Sequence, residues 1–172
     1  MVFLRAANVG GNNVFRPAQV AAGLAHLGVV NIGAAGTFVV RGKASATSIR
    51  REILAAIPFE PSLAIRPAEE ILELVRSRPF EGVKFSKDMR GWVAVMCAQS
   101  KVQPELPLHF PPAGDWALRF ERVEGAYAFG LWRRLPRNFS IPANGVEKAM
   151  GVPATVRWWE TYERIAKAIL AK

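Results

Sequence analysis

The sequence predicts an α+β fold built from two similar βαββαβ-type halves, and three observations carry that expectation. Short β-rich runs alternate with amphipathic helical stretches along the whole chain. In the first half the order is β-α-β-β-α-β with a trailing helix. In the second half it is β-loop-β-β-α-β, again with a trailing helix. The echo lies in element order and not in residue identity.

Residues 1–5 (MVFLR) form a short apolar run that suits a buried strand. The cluster Asn8, Gly10, Gly11, Asn12 and Asn13 is a turn signal. Pro17 sits where a first-turn proline belongs, and Val20, Leu24 and Leu27 follow at helical spacing up to Gly28, a natural helix terminator. Residues 29–32 and 37–41 flank a glycine-containing turn and predict a hairpin. Ser45 or Thr47 can cap a second helix whose core face is Ile49, Ile53, Leu54 and Ile57, with Pro58 ending it. Residues 62–66 (SLAIR) form another strand. Pro67 opens a third helix, with Glu69 and Glu70 in its first turn and Arg76 and Arg78 at its end, as the helix dipole favours.

Residues 79–91 are a polar, glycine-containing linker. Residues 92–98 (WVAVMCA) are apolar on both faces, which predicts a central strand. Four prolines within 101–115 predict an extended loop there. Residues 116–121 and 126–132 form a second hairpin, with Trp116, Leu118 and Phe120 sharing one face of its first strand and Tyr127, Phe129 and Leu131 one face of its second. Residues 142–150 predict a short helix closed by Gly151, residues 155–157 a brief extended piece, and residues 158–171 a last helix with Trp158, Tyr162, Ile165 and Ile169 on one stripe. The expected organisation is two ferredoxin-like subdomains, 1–78 and 92–172, joined by the linker 79–91.

Composition narrows the function classes. With 51% hydrophobic and 22% charged residues over 172 positions, the chain has the apolar mass for a core, and disorder is excluded as a class. No apolar run approaches the roughly 18–20 residues of a membrane span. Arg5 and Asn8 interrupt the first apolar stretch, so no secretory leader is expected. A single cysteine, Cys97, makes neither an internal disulfide nor a cysteine-based metal site, and the expected compartment is a reducing cytoplasm.

Lys plus Arg is 23 against 14 for Asp plus Glu, a net charge of +9. Residues 1–86 carry 10 positive and 6 negative groups, and residues 87–172 carry 13 and 8, so the halves contribute +4 and +5. Such a balance suits a polyanion, either a phosphate-bearing small molecule or nucleic acid. It equally suits plain solubility, because a binding footprint needs clustering and not a total.

Three places qualify as candidate sites. The loop holding Asn8, Gly10, Gly11 and Asn12 lies between a strand and a helix, where backbone N–H groups can face an anion with Arg5 as countercharge. The same glycines equally suit a tight turn with positive φ. Arg157 and Trp159, near the last helix, offer an anion partner and a stacking ring, or a structural arginine and a core anchor. Arg133, Arg134 and Arg137 form the densest basic run, beside Trp132, and suit phosphate contacts or a solvated loop. Cys97 sits in an apolar strand, as a core hydrophobe would. His26 and His109 stand in no nucleophile or zinc motif, so no catalytic residue, no cofactor and no metal site is assigned.

Several motifs resemble an uncharacterised, largely bacterial family, the domain of unknown function 1697. Leu4-Arg5-Ala6-Ala7-Asn8-Val9-Gly10-Gly11 is similar to its L-R-G-I-N-V-G-G opening, and Leu27-Gly28-Val29 fills its L-G-F/V turn. Ala35-Gly36-Thr37 and Phe38-Val39-Val40 resemble its S-G-N and V-V-F pair. Val146-Glu147-Lys148-Ala149-Met150-Gly151, with Ala154-Thr155-Val156-Arg157-Trp158-Trp159-Glu160-Thr161, resembles its V-E-K-x-L-G…A-T-x-R-N-W-N-T close. The resemblance implies an α+β architecture of ferredoxin-like parts and no assigned activity. The chain departs from the pattern at Ala6 and Ala7, at Thr37, and at Trp158 and Glu160, where asparagines flank the signature tryptophan. These readings lead to a non-enzymatic binding protein for a phosphate-bearing or polyanionic ligand, with Arg5, Asn8 and Arg157 expected to converge. The alternatives are an enzyme on a small anionic substrate and a self-associating scaffold.

Overall fold

The computed structural model describes residues 1–8, 11, 13–136 and 142–171. Among them the chain is α+β, with two antiparallel sheets and five α-helices. It divides into two compact units, Met1–Arg76 with Glu163–Lys172, and Ser77–Tyr162.

In the first unit β1 (Val2–Leu4), β2 (Val29–Asn31), β3 (Thr37–Val40) and β4 (Leu63–Ile65) form a sheet ordered β2-β3-β1-β4. Every neighbouring pair is antiparallel. α1 (Pro17–Gly23) starts at its proline as expected but is shorter than the spacing suggests. It tightens into a 3-10 turn, Ala25–Leu27, that stops at Gly28 with φ +60°. α2 (Ala46–Ala55) is capped by Ser45, whose Oγ accepts from the Ser48 N–H at 3.1 Å. Val20 and Leu24 from the α1 region and Ile49 and Ile53 from α2 join Val2, Leu4, Phe38 and Leu63 of the sheet in one core. α3 (Ala68–Arg76) carries the expected acids in its first turn, and Glu70 pairs with Arg66 at 2.6 Å.

In the second unit β5 (Met89–Met96), β6 (Leu108–Phe110), β7 (Leu118–Glu124), β8 (Tyr127–Arg133) and β9 (Ala154–Trp158) are ordered β6-β7-β8-β5-β9. β5 lies inside the sheet, flanked by β8 and β9, as its unbroken apolar run predicts. α4 (Pro142–Met150) places Val146 and Met150 on the core formed by Trp92, Ala94, Leu118, Phe120 and Ala128. Gly145 brings the helix close, since a Cβ there would collide with Leu118.

Besides the shorter α1, β5 starts at Met89, inside the expected linker 79–91, and three more details differ from the sequence expectation. The proline-rich stretch 101–115 contains an edge strand, β6, because residues 108–110 lie between its prolines and keep the N–H groups a ladder needs. A bulge between Phe120 and Arg122 shifts the register of β7, so Phe120 and Val123, three apart, both join the core cluster. Trp158 ends β9 instead of opening the last helix, because it pairs with Trp92 of β5. α5 (Trp159–Leu170) then starts at Trp159. Its residues from Glu163 onward count with the first unit, where Arg164 donates to the Ile32 carbonyl at 3.3 Å and the Ala168 carbonyl accepts from Arg41 at 2.9 Å.

Candidate functional site

The loop after β1 is held by its own asparagines. The Asn8 amide donates to the carbonyls of Phe15 (3.1 Å) and Ala34 (2.7 Å), and its Oδ1 accepts from the Phe15 N–H at 2.9 Å. Asn13 donates to the Ala6 carbonyl at 3.2 Å. Ala6, Asn8, Gly11 and Asn13 all have φ between +51° and +78°. Asn8 therefore ties the loop to the turn before β3, and both ends of its amide are engaged with backbone. Arg5 is half-buried, with its N–H on the Ser62 carbonyl at 2.9 Å, and Gly11 is exposed. Gly10 and Asn12 lie outside the described residues. Beyond this loop a groove of about 500 Å³ runs between α1 and the end of α2, with Val14, Phe15 and Pro58 as apolar walls and Arg16 and Gln19 as polar ones.

Arg157 and Trp159 belong to the second unit, while Arg5, Asn8 and Gly11 belong to the first. Arg157 stands on β9, only 9% exposed, and its Nη1 donates to Thr155 Oγ1 at 2.6 Å and the Val156 carbonyl at 2.8 Å. Burial pushes its pKa down to about 10, against the opposing influence of Tyr162 and Cys97. The same burial raises the Tyr162 hydroxyl. Trp159, half-buried, meets Phe80 edge-on at 5.5 Å and stacks on Tyr162 at 6.2 Å.

The clustering that a charge total lacks is found at the start of β5. Pairing of β5 with β8 sets Met89 opposite Arg133 and Arg90 opposite Trp132, and the Arg134 N–H donates to the Asp88 carbonyl at 2.8 Å. This sets Arg90 and Arg134 at one end of the sheet, and the Ser86–Met89 bridge returns the segment carrying Lys84 and Lys87 to the same end; all four side chains are exposed. Among the described residues none of these four side chains forms an ion pair, whereas Arg119 and Arg122 on β7 are neutralised by Glu121 and Glu124 at 2.8 and 2.9 Å. Arg133 is likewise paired, with Asp115 at 3.0 Å, and lies over the Trp116 ring at 4.6 Å. Arg137 lies outside the described residues.

Arg90 and Arg134 share the face of β5 that carries Trp132 and Trp158, whereas Phe85 lies against the opposite face at Gly91, with Lys84 and Lys87 near it in sequence. The Arg90 guanidinium lies 5.7 Å over the Trp158 ring, which meets Trp132 at 5.6 Å. Phe85 is 41% exposed and packs edge-on against Phe80 at 5.7 Å. Gly91 leaves the room, since a Cβ there would stand 2.9 Å from Phe85 and 3.0 Å from Phe80. The sequence reading finds Arg133 and Arg134 but passes over Lys84, Lys87 and Arg90 as linker. Their three-residue spacing around an apolar Phe85 is the signal that points to them.

Among the described residues no group of three His, Cys, Asp or Glu side chains is placed to hold a metal ion, and no helix is long and apolar enough to cross a membrane. His109 stacks on Trp116 at 6.2 Å, and His26 stands 3.9 Å from Glu52. Cys97 is half-buried, its N–H bonded to the Pro153 carbonyl at 2.8 Å.

A family model described as protein of unknown function (DUF1697) matches residues 1–109. The chain belongs to this family. The match covers the opening loop, the first hairpin and the start of β5, and the C-terminal motif at residues 146–161 lies beyond it. No curated protein and no solved structure matches the chain. Within the matched residues Ala6 has φ +53°, a conformation glycine adopts without strain.

Proposed function

We propose that this protein is a non-enzymatic binding protein for a polyanionic, phosphate-bearing ligand, and that the ligand lies at the start of β5. One observation carries the reading. Lys84, Lys87, Arg90 and Arg134 share one sheet end as exposed cations without carboxylate partners among the described residues, with Arg90 laid over Trp158. Four such cations release counterions when they meet phosphates, which gives affinity and steep salt dependence. The frame that presents them is a variant of the ferredoxin-like plan. The first sheet runs second, third, first, fourth strand, and so do β7, β8, β5 and β9 of the second, which supports reading both units as βαββαβ-type halves.

The test is binding of fluorescent heparin by the full chain across a salt series. Affinity should fall steeply with salt, and Arg90→Ala with Arg134→Ala should reduce the slope by about two contacts. Absence of binding at low salt overturns the proposal. A second reading, a small anionic ligand, draws support from the groove of about 500 Å³ in the first unit, where Arg16 sits beside an apolar wall. A thermal-shift panel of carboxylates and phosphates separates the two, because a groove ligand raises the melting temperature in a manner that Arg16→Ala abolishes and Arg90→Ala leaves intact.

A further inference from the structure

We infer that the start of β5 takes single-stranded nucleic acid in particular, with a base stacked on Phe85. The inference rests on the polyanion reading and adds the ligand class. Phosphate alone needs only cations; what the strand end adds is an open ring. Phe85 is the one exposed aromatic side chain among the described residues, and it sits between Lys84 and Lys87. A phenyl ring left 41% open costs hydrophobic free energy unless something covers it, and Lys84 before it and Lys87 two positions after it are set for phosphate.

The ring is also held in place. Phe80 supports it at 5.7 Å with the planes 66° apart, and Gly91 on β5 leaves space for both rings. The following turn is closed twice, by the Ser86 N–H on the Met89 carbonyl and the Met89 N–H on the Ser86 carbonyl, each at 3.2 Å. Ser86 Oγ also accepts from the Asp88 N–H at 3.2 Å. A pre-positioned ring loses little entropy on stacking. Duplex bases are already stacked on one another and present no face to Phe85, so a duplex meets only the cations. A single strand offers both phosphates and free base faces, and base–aromatic stacking is largely indifferent to sequence. Asp88, half-buried, is the carboxylate in this turn, and Lys84 and Lys87, the cations nearest Phe85 in sequence, outnumber it.

The experiment measures fluorescence anisotropy of labelled oligothymidylate and of a duplex of equal length, with the full chain, Phe85→Ala and Phe85→Trp. The single strand should bind more tightly than the duplex. Phe85→Ala should weaken the single strand about tenfold and leave duplex and heparin binding unchanged, and Phe85→Trp should restore it. Phe85 is exposed, and unchanged circular dichroism confirms that the variants fold. Equal affinity for single strand and duplex overturns the inference, as does an Ala variant that binds oligothymidylate like the parent or loses heparin in proportion. If heparin binds without any preference for single strands, the polyanion reading stands and this one falls. If neither heparin nor nucleic acid binds, both fall.

Discussion

The two sheets answer the same topological problem in different ways. Both place their strands in the order second, third, first, fourth, as β2-β3-β1-β4 in one unit and β7-β8-β5-β9 in the other. In the first unit the connection from first to second strand contains α1, and Val20 and Leu24 from that region fill the core. In the second the corresponding connection is interrupted by prolines and forms no helix among the described residues. Leu106, Leu108 and Phe110 pack on the core there, and β6 extends the sheet by one strand. The lesson is that strand order survives loss of a crossover helix when apolar residues from the replacement segment still cover the sheet.

The largest expected effects test how closely the third strand of each sheet approaches the first. Gly130 on β8 faces Trp92 of β5, and a Cβ there would collide with the Trp92 indole and the Arg119 carbonyl oxygen. Gly36, just before β3, would put a Cβ 2.7 Å from Leu4 at φ +67°. Gly130→Ala should cost about 4 kcal/mol and Gly36→Ala about 3 kcal/mol in urea denaturation. A cost below 1 kcal/mol for either breaks the parallel. Next come the two crossovers. Leu24→Ala should cost about 3 kcal/mol and Leu108→Ala about 1 kcal/mol, because Leu24 is buried and Leu108 only half-buried. Equal costs would mean that the proline-rich segment carries as much of its core as the helix does.

A third contrast is electrical. The buried polar residue of the first sheet is the uncharged Thr37, whereas the second buries Arg157 near Tyr162. Raised by burial, Tyr162 keeps its proton in the folded protein above about pH 10, where the unfolded chain has lost it, so this residue lowers stability as pH climbs. Arg157, held down to about 10, releases its proton first in the folded state and acts in the opposite sense at high pH. Tyr162→Phe should therefore gain about 1 kcal/mol relative to the parent between pH 9.5 and pH 11, read by denaturation at each pH. A constant difference across that window removes Tyr162 from the account.

The smallest effect concerns left-handed backbone. The β7–β8 hairpin uses Gly125 at φ +56°, while the loop after β1 uses Ala6 at φ +53°. Ala6→Gly should stabilise by about 0.5–1 kcal/mol, and Gly125→Ala should destabilise by a similar amount. Opposite signs in thermal melts are the expected outcome, and a loss at both positions would contradict it.

Much of the fold was legible because the signals are local. Pro17, Ser45, Gly28 and Gly151 start or stop helices through their own φ angles and hydrogen bonds, which involve residues within a turn or two. The apolar run of β5 likewise announces burial on both faces. The β7 bulge, the edge strand β6 and the place of Trp158 were not legible, because each is decided by a partner strand. The candidate site was half legible: Arg133 and Arg134 stand out as a basic run, but their companions Lys84, Lys87 and Arg90 lie more than forty positions earlier.

What the sequence by itself determined is the alternation of strands and helices, their caps and the positive charge, since these follow from side-chain chemistry acting over a few residues. Tertiary structure alone decided which cations share a surface and which are neutralised. The β5–β8 register brings residues 88–90 beside residues 132–134, while Arg119 and Arg122 on β7 pair with their own glutamates. Charge becomes a site only where backbone pairing concentrates it, and pairing depends on hydrogen bonds between segments that are distant along the chain.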